Sequence, residues 1–374
     1  MPDPPVETAR RIAREVLEPA AEATDQADMV PISHLARLGE AGLFGIYGPE
    51  SHGGSASPGP VVRAVHRILG GACGATYFVW AQHQGPVMLL AASPNTELAD
   101  RWLPRLCRGD VVGGTAFAHL RRPGAPAVLA TPTDGGWRLD GEAPWASSWG
   151  RAGVYSVAAF TPDGDVLWVL VDGHAQAGLS VSAPLALAVM QATATVRLRF
   201  DGFAVAEDHV MLQLPPELWW AIDDSIAARL NPAVLGVADR SLALLADVPS
   251  AGGAGPAASD ALGAELSACA ESNEALAAEA DAGAVDLDAL AEGRAWGIDV
   301  AQRAALALLA ATGGRGVERA SPAQRLVREA AFYAIQAQTG PGREAALRRA
   351  ARAAGGDDAV PPLPPEASVA VVGG

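Results

Sequence analysis

The groups able to do covalent or acid–base chemistry are few in this chain, and their types already narrow its function. All 27 basic residues are arginine. Without a lysine there is no side-chain Schiff base and no P-loop lysine for a nucleoside triphosphate. Cys73, Cys107 and Cys269 are far apart and form no CxxC pair, so no metal site is expected. The adjacent Arg121 and Arg122 stand beside a Pro-Gly turn in "AHLRRPGAP". Such a pair can meet a phosphate group; otherwise it is a solvated pair facing local carboxylates. Near the C-terminus, "FYAIQAQTGPG" brings Gln336 and Gln338 to a Thr-Gly-Pro-Gly turn, with no acid and no histidine.

These groups need a scaffold, and composition bounds it. The 374 residues suffice for one large domain or two to three smaller ones. Half are hydrophobic, few are aromatic, and Ala and Gly abound, which favours closely packed helices. The net charge of −15 is unlike that of a nucleic-acid binder. No run of eighteen apolar residues occurs, so no membrane span is expected. "MPDPPVETARR" lacks an apolar signal core, and the free thiols suit a reducing cytoplasm.

The hydrophobic period is helical, then strand-like, then helical again. In "VETARRIAREVLEPA", Val6, Ala9, Ile12, Ala13, Val16 and Leu17 share one helical face. Ser33 is placed to N-cap the next helix, with Ile32 as part of a staple. A glycine-rich loop follows from Glu40 to Gly54. "PVVRAVHRILGGACG" and "TELADRWLPRLCRGD" read as further helices. From about Val111 the pattern alternates, and "PDGD" marks a hairpin between two strands. Residues 111–214 are expected to form a small antiparallel β domain after a helical region at 1–110. Helices return at 215–354. The first is disturbed at Pro232, a flexible break runs from Ser250 to Asp260, and Ser321 caps a helix that starts at Pro322. Residues 355–374 form a Pro-rich tail.

With the segments in this order, the chain resembles the acyl-CoA dehydrogenase family from about residue 5 to 350. "GLFGIYGPESHGG" looks like that family's Gly-Leu-hydrophobic-Gly…Pro-Glu-x-x-Gly-Gly loop. "TELADRWLPRLCRGD" is similar to its Leu-Pro-x-Leu-x-x-Gly-Glu helix. "WRLDGEAPWASS" resembles the strand pair that ends in Trp-Ile-Thr, and "GGRGVERASPAQRLVREA" resembles Gly-Gly-x-Gly…Arg-x-x-Arg-Asp. The resemblance implies an α+β, mostly α chain. Its parts would be an N-terminal helical domain, a middle antiparallel β-barrel or sandwich, and a C-terminal four-helix bundle. It also implies FAD as cofactor, an acyl-CoA or acyl-carrier-protein substrate, and a homodimer or homotetramer, with a hetero-oligomer as a variant.

By the same resemblance Trp145 and Ser147 match a Trp-x-Thr that covers the flavin ring and bonds its edge. The competing reading is a core tryptophan and a turn serine. Phe117, His119 and Leu120 lie on the strand that runs along the flavin. His119 reads either as a proton donor there or as a structural residue. Arg121 and Arg122 would meet a phosphate of FAD or of the carrier arm. Gly313 and Gly314 match the glycines near a neighbouring subunit's adenine, with Ala310 where the family has Gln. Thr339 matches a threonine that contacts the FAD diphosphate.

The departures concern the catalytic base. The family's glutamate positions correspond to Ala337 in one branch and to about Ala228 in another. Its Arg-x-x-Phe-Gly is missing after "LALLADV". Asp224, one turn before Ala228 and about 6 Å along the axis, is the expected relocated base, with Asp223 beside it. The alternative is that both acids complement a helix dipole. Losing a general base typically costs about 10²–10⁴-fold in rate. Three functions follow: an FAD-dependent acyl-thioester α,β-dehydrogenase, a flavin monooxygenase needing no carboxylate base, and an inactive partner subunit.

Overall fold

The computed structural model describes residues 4–249 and 253–353. The Pro-rich tail lies outside the described residues. Six helices come first: α1 (Pro5–Ile12), α2 (Glu18–Asp25), α3 (Ile32–Glu40), α4 (Gly59–Ala72), α5 (Gly74–Ala91) and α6 (Thr96–Cys107). The amphipathic face read from the first helix is buried at Ala9, Ile12, Ala13 and Leu17. A π-turn at Ala13–Leu17 separates α1 from α2. Pro19 explains it, since a proline there clashes with the carbonyl one turn earlier unless the register widens. Helix α3 begins one residue before the expected cap, with Pro31 at its N-cap and Ile32 62% exposed, so no staple forms. Asn95 does cap α6, accepting from Leu98 N–H at 3.1 Å.

Helix α5 has no amphipathic pattern and contains Pro86. It is apolar around most of its circumference because most of it is covered, Met88 near its end excepted: it packs on α4, α6 and the first strand. Eight strands follow: β1 (Val112–Ala116), β2 (Val128–Thr133), β3 (Gly136–Ala146), β4 (Ala152–Phe160), β5 (Val166–Asp172), β6 (Leu179–Val181), β7 (Val196–Ala206) and β8 (Val210–Leu214). They pair in the order β6-β7-β3-β2-β4-β5-β8, with β1 alongside β4. The sheet departs from the antiparallel barrel or sandwich in two respects. Strand β1 runs parallel to β4, and β2 meets β4 in parallel at Leu129 and Phe160. The end strands β6 and β8 do not pair with each other, so the sheet stays open. In β7 Val196, Leu198 and Phe200 are buried and Arg197 and Arg199 exposed, whereas Thr195, expected on the solvated face with the arginines, is buried.

The remaining helices are α7 (Pro216–Ala228), α8 (Ala233–Ala246), α9 (Ala254–Asp281), α10 (Leu287–Thr312), α11 (Pro322–Tyr333) and α12 (Gly340–Ala353). Pro232 does more than disturb one helix; it separates α7 from α8. Of the expected break at Ser250–Asp260, positions 250–252 lie outside the described residues and α9 already begins at Ala254. The C-terminal helices are more than four: α10 packs against α8, α9, α11 and α12. Helices α4 and α8 also touch closely, because Gly71 and Gly236 meet backbone to backbone where any Cβ would collide.

A buried ion network ties the first helices to the last. Arg325 donates to Glu329 at 2.9 Å and to Glu22 at 3.2 Å, and Glu329 accepts Gly74 N–H at 3.2 Å. Arg328 donates to Asp25 at 3.0 Å. Arg325 and Glu329 are each 2% exposed. Removing one partner of such a pair strands the other's charge and costs about 3–5 kcal/mol. Glu329→Gln is therefore expected to lower the unfolding free energy by that amount in urea titration. Glu40→Gln, in an exposed pair with Arg37, should stay within about 0.5 kcal/mol.

Candidate functional site

The two helix ends that the resemblance associates with a catalytic acid converge on one side chain. Helix α7 stops at Ala228 because Arg229 turns extended (φ −66°, ψ 144°) ahead of Pro232. Helix α11 stops at Tyr333, and the following turn forces Ala337 to φ +50°. A left-handed alanine costs roughly 1–2 kcal/mol. Arg294, from the middle of α10, lies between these ends. Its Nη1 donates to the Ala227 carbonyl at 2.6 Å, and its Nη2 donates to the Gln336 carbonyl. Ala228 and Ala337 are the next residues in sequence after those two carbonyls.

Arg294 is 6% exposed and has no carboxylate within ion-pair distance among the described residues. Burial, and secondarily the charge of Arg121, lower its pKa to about 10. It remains a cation at neutral pH. Its counter-charge is the partial negative charge at the C-terminus of α7, roughly half an elementary charge, together with the carbonyl dipole of Gln336 in the turn three residues beyond α11. The sequence does contain the signal. Leu290, Arg294 and Ile298 repeat every four residues along the buried stripe of α10, so an arginine occupies a core position.

The acids next to Ala228 are not equivalent. Asp223 is 3% exposed and accepts both Nε and Nη2 of Arg121 at 2.7 Å. Arg121 also lies over the Phe117 ring, 5.2 Å from its centroid, and Phe117 meets Trp219 edge-on. Arg121 is thus engaged internally and is no free phosphate ligand. Arg122 and Asp224 are exposed. Partial burial, with Asp223 adding to it against Arg121, raises the Asp224 pKa.

The remaining expected residues fall into separate places. His119 is 2% exposed, and its Nε2 donates to the Ala158 carbonyl at 2.9 Å. Burial pushes its pKa down to about 4, so it is a neutral ring anchored to the sheet rather than a poised proton donor. Leu120 is buried. Trp145, at 47% exposure, is no core tryptophan. Ser147 Oγ lies 2.8 Å from Thr195 Oγ1, which lies 2.9 Å from Thr193 Oγ1. Beside them Ser148 adopts φ +73°, and its buried Oγ is without a partner among the described residues. Met190 and Ala194 are also left-handed here, so backbone strain clusters around this hydroxyl group. Gly313 and Gly314 are exposed at the end of α10, with open space where a Cβ would point. Thr339 caps α12, its Oγ1 accepting Gly342 N–H at 3.3 Å. Ser148 and Arg294 are the two residues the motifs did not point to.

The order of helices, open mixed sheet and further helices is the acyl-CoA dehydrogenase type of fold. Butyryl-CoA dehydrogenase from Megasphaera elsdenii superposes with a TM-score of 0.78 at 17% identity, over 92% of this chain and 97% of that one. Residues 5–110 match the model "Acyl-CoA dehydrogenase, N-terminal domain". Benzylmalonyl-CoA dehydrogenase of Aromatoleum aromaticum is 27% identical over 54% of this chain and 55% of its own length. The oxygenase component of FADH(2)-dependent resorcinol hydroxylase from Rhizobium sp. is 30% identical over 42% of this chain and 37% of its own. The chain thus spans about half the length, or less, of these curated relatives. Together these findings show the acyl-CoA dehydrogenase fold over most of the chain and a sequence match to that family's N-terminal domain over residues 5–110. Among the described residues no helix is long and apolar enough to cross a membrane.

The state of His119 has a thermodynamic consequence. Its folded pKa lies below the ordinary value of 6.5, so the unfolded chain binds the proton first. Stability is complete above pH 6.5 and is lost as pH falls toward 4, by up to roughly 1.4 kcal/mol per pH unit from this group. His119→Gln, whose amide can also donate to Ala158, should reduce the slope of the urea-unfolding free energy between pH 6.5 and 4 by that amount, the buried His66 and His83 keeping their own contributions. An unchanged slope would show that His119 titrates normally in the folded chain.

Proposed function

We propose that the chain is an FAD-dependent oxidoreductase that removes hydrogen from the α and β carbons of an acyl thioester. The observation that carries this reading is the convergence of Ala228 and Ala337 on Arg294. Two positions 109 residues apart in sequence, each aligned with a catalytic acid in a different branch of the family, meet at one corner here. The exposed ring of Trp145 and the unpartnered hydroxyl of Ser148 suit the edge of a planar heterocycle. Ser147 and Phe117 flank that role, with Thr339, Gly313 and Gly314 toward the diphosphate and adenine. Bound FAD supplies a hydride acceptor.

The chain's own part is to bind the thioester, exclude water and take the α-proton. Asp224 is the acid we assign to that proton. It lies one turn before Ala228, and its raised pKa makes it a better base than an ordinary aspartate. Arg121 holds the neighbouring Asp223 and so leaves Asp224 as the free carboxylate of the pair. The substrate arrives as an acyl-CoA or on a carrier protein, and a homo-oligomer is the expected assembly. A second reading, a flavin-dependent oxygenase, is favoured by the lack of an acid at both corner positions and by the resorcinol hydroxylase relative.

Anaerobic mixing with a panel of acyl-CoA thioesters tests the proposal. Bleaching of the flavin band is expected, slowed by about 10²–10⁴-fold in Asp224→Asn at unchanged melting temperature. Bleaching at the wild-type rate in that variant would move the base elsewhere. A flavin that no thioester bleaches, but that a reductase system reduces and O₂ then reoxidises with substrate hydroxylation, would favour the oxygenase.

A further inference from the structure

We propose that Arg294 is an anion subsite, and that the acyl group this chain accepts carries a terminal carboxylate. The inference rests on the acyl-thioester reading above and adds a substrate class to it. Arg294 has five N–H donors. Two go to the Ala227 and Gln336 carbonyls, and among the described residues the other three have no protein acceptor. The guanidinium borders a crevice walled on one side by Leu230, Val234 and Ile298. Its other walls are Asn231, Tyr333 and Gln336.

No carboxylate lines this crevice, and its polar groups are rich in donors. Tyr333 is 1% exposed, and its hydroxyl is without a partner among the described residues. Asn231 Oδ1 is already filled, accepting from Tyr77 O–H at 2.8 Å and from Ala233 N–H at 3.1 Å. That leaves the amide nitrogen as its free group. A buried cation, an orphan phenol and an amide N–H₂, set among aliphatic walls, complement a carboxylate at the end of a short alkyl chain. A neutral acyl chain would leave all three unmatched.

In this structure the crevice is too narrow for a water molecule. Entry of the carboxylate therefore exchanges one partner for another: Nη2 releases the Gln336 carbonyl and takes a carboxylate oxygen. Ala337, already left-handed, is the adjoining residue through which that carbonyl can turn away. Losing the contact with that turn carbonyl returns to Arg294 positive charge that the carboxylate then meets.

Calorimetric dissociation constants for glutaryl-CoA and valeryl-CoA, equal in chain length and differing in the terminal carboxylate, test the assignment on the full-length protein. Glutaryl-CoA is expected to bind about tenfold or more tightly than valeryl-CoA. Arg294→Gln should abolish that preference, and Arg294→Lys should retain part of it. Equal affinities in the wild type would overturn the inference, as would a preference that survives in Arg294→Gln. If Arg294→Gln does not fold, the wild-type comparison and Arg294→Lys decide, and a lysine variant indistinguishable from a wild type without preference counts against it. Failure of both thioesters to bind would overturn the acyl-thioester reading itself, whereas binding without preference overturns only the role of Arg294.

Discussion

A buried guanidinium needs a counter-charge, and in this chain a helix end and a turn provide it. Arg294 can leave the carbonyls of Ala227 and Gln336 only for another negative group, since otherwise it becomes an uncompensated charge in an apolar place. The requirement runs both ways. The same contacts hold the end of α7 and the turn after α11, and so the chain next to Ala228 and Ala337, against one side chain. A carboxylate placed beside this cation would be drawn into an ion pair, which lowers its pKa and weakens it as a base.

That arrangement holds only if the helices carrying it are held in turn. The Arg325–Glu329 pair, with Glu22 and the Gly74 amide, fastens α11 to the first helices. The glycine contact between α4 and α8 fastens the other side. Asn231 joins the two regions, because the hydroxyl of Tyr77 on α5 donates to the residue that opens α8. The corner therefore sits where the N-terminal helices, the sheet-side turn bearing Arg121 and the C-terminal helices all bear on one another.

Much of the fold was legible because it follows from period and punctuation. The amphipathic first helix, the alternating β7 and the hairpin between β4 and β5 were read from side-chain spacing alone. Helix α5 was not, since burial around most of its circumference removes the periodic signal. Helix α12 was hidden because the Thr-Gly-Pro-Gly segment reads as the stop of a helix, whereas α11 already ends at Tyr333 and that segment opens α12 at Gly340. The open, mixed sheet depends on long-range pairing that no local pattern encodes. At the site, motif matching reached the positions of Ala228 and Ala337 but not what lies between them. Arg294 is 43 residues before Ala337, and only its place on an otherwise aliphatic stripe marks it. The pairing of Arg121 with Asp223 was equally out of reach, as it joins residues 102 apart.

Whether Trp145 and the Ser147–Ser148 edge receive a flavin decides the proposed chemistry most directly. Titration of FAD into the purified chain, followed by quenching of flavin fluorescence, measures this. Saturable binding at one FAD per chain, weakened at least tenfold by Trp145→Ala as loss of a good ring contact implies (about 1–1.5 kcal/mol or more), is the predicted result. No saturable binding, or binding indifferent to Trp145→Ala, would contradict it.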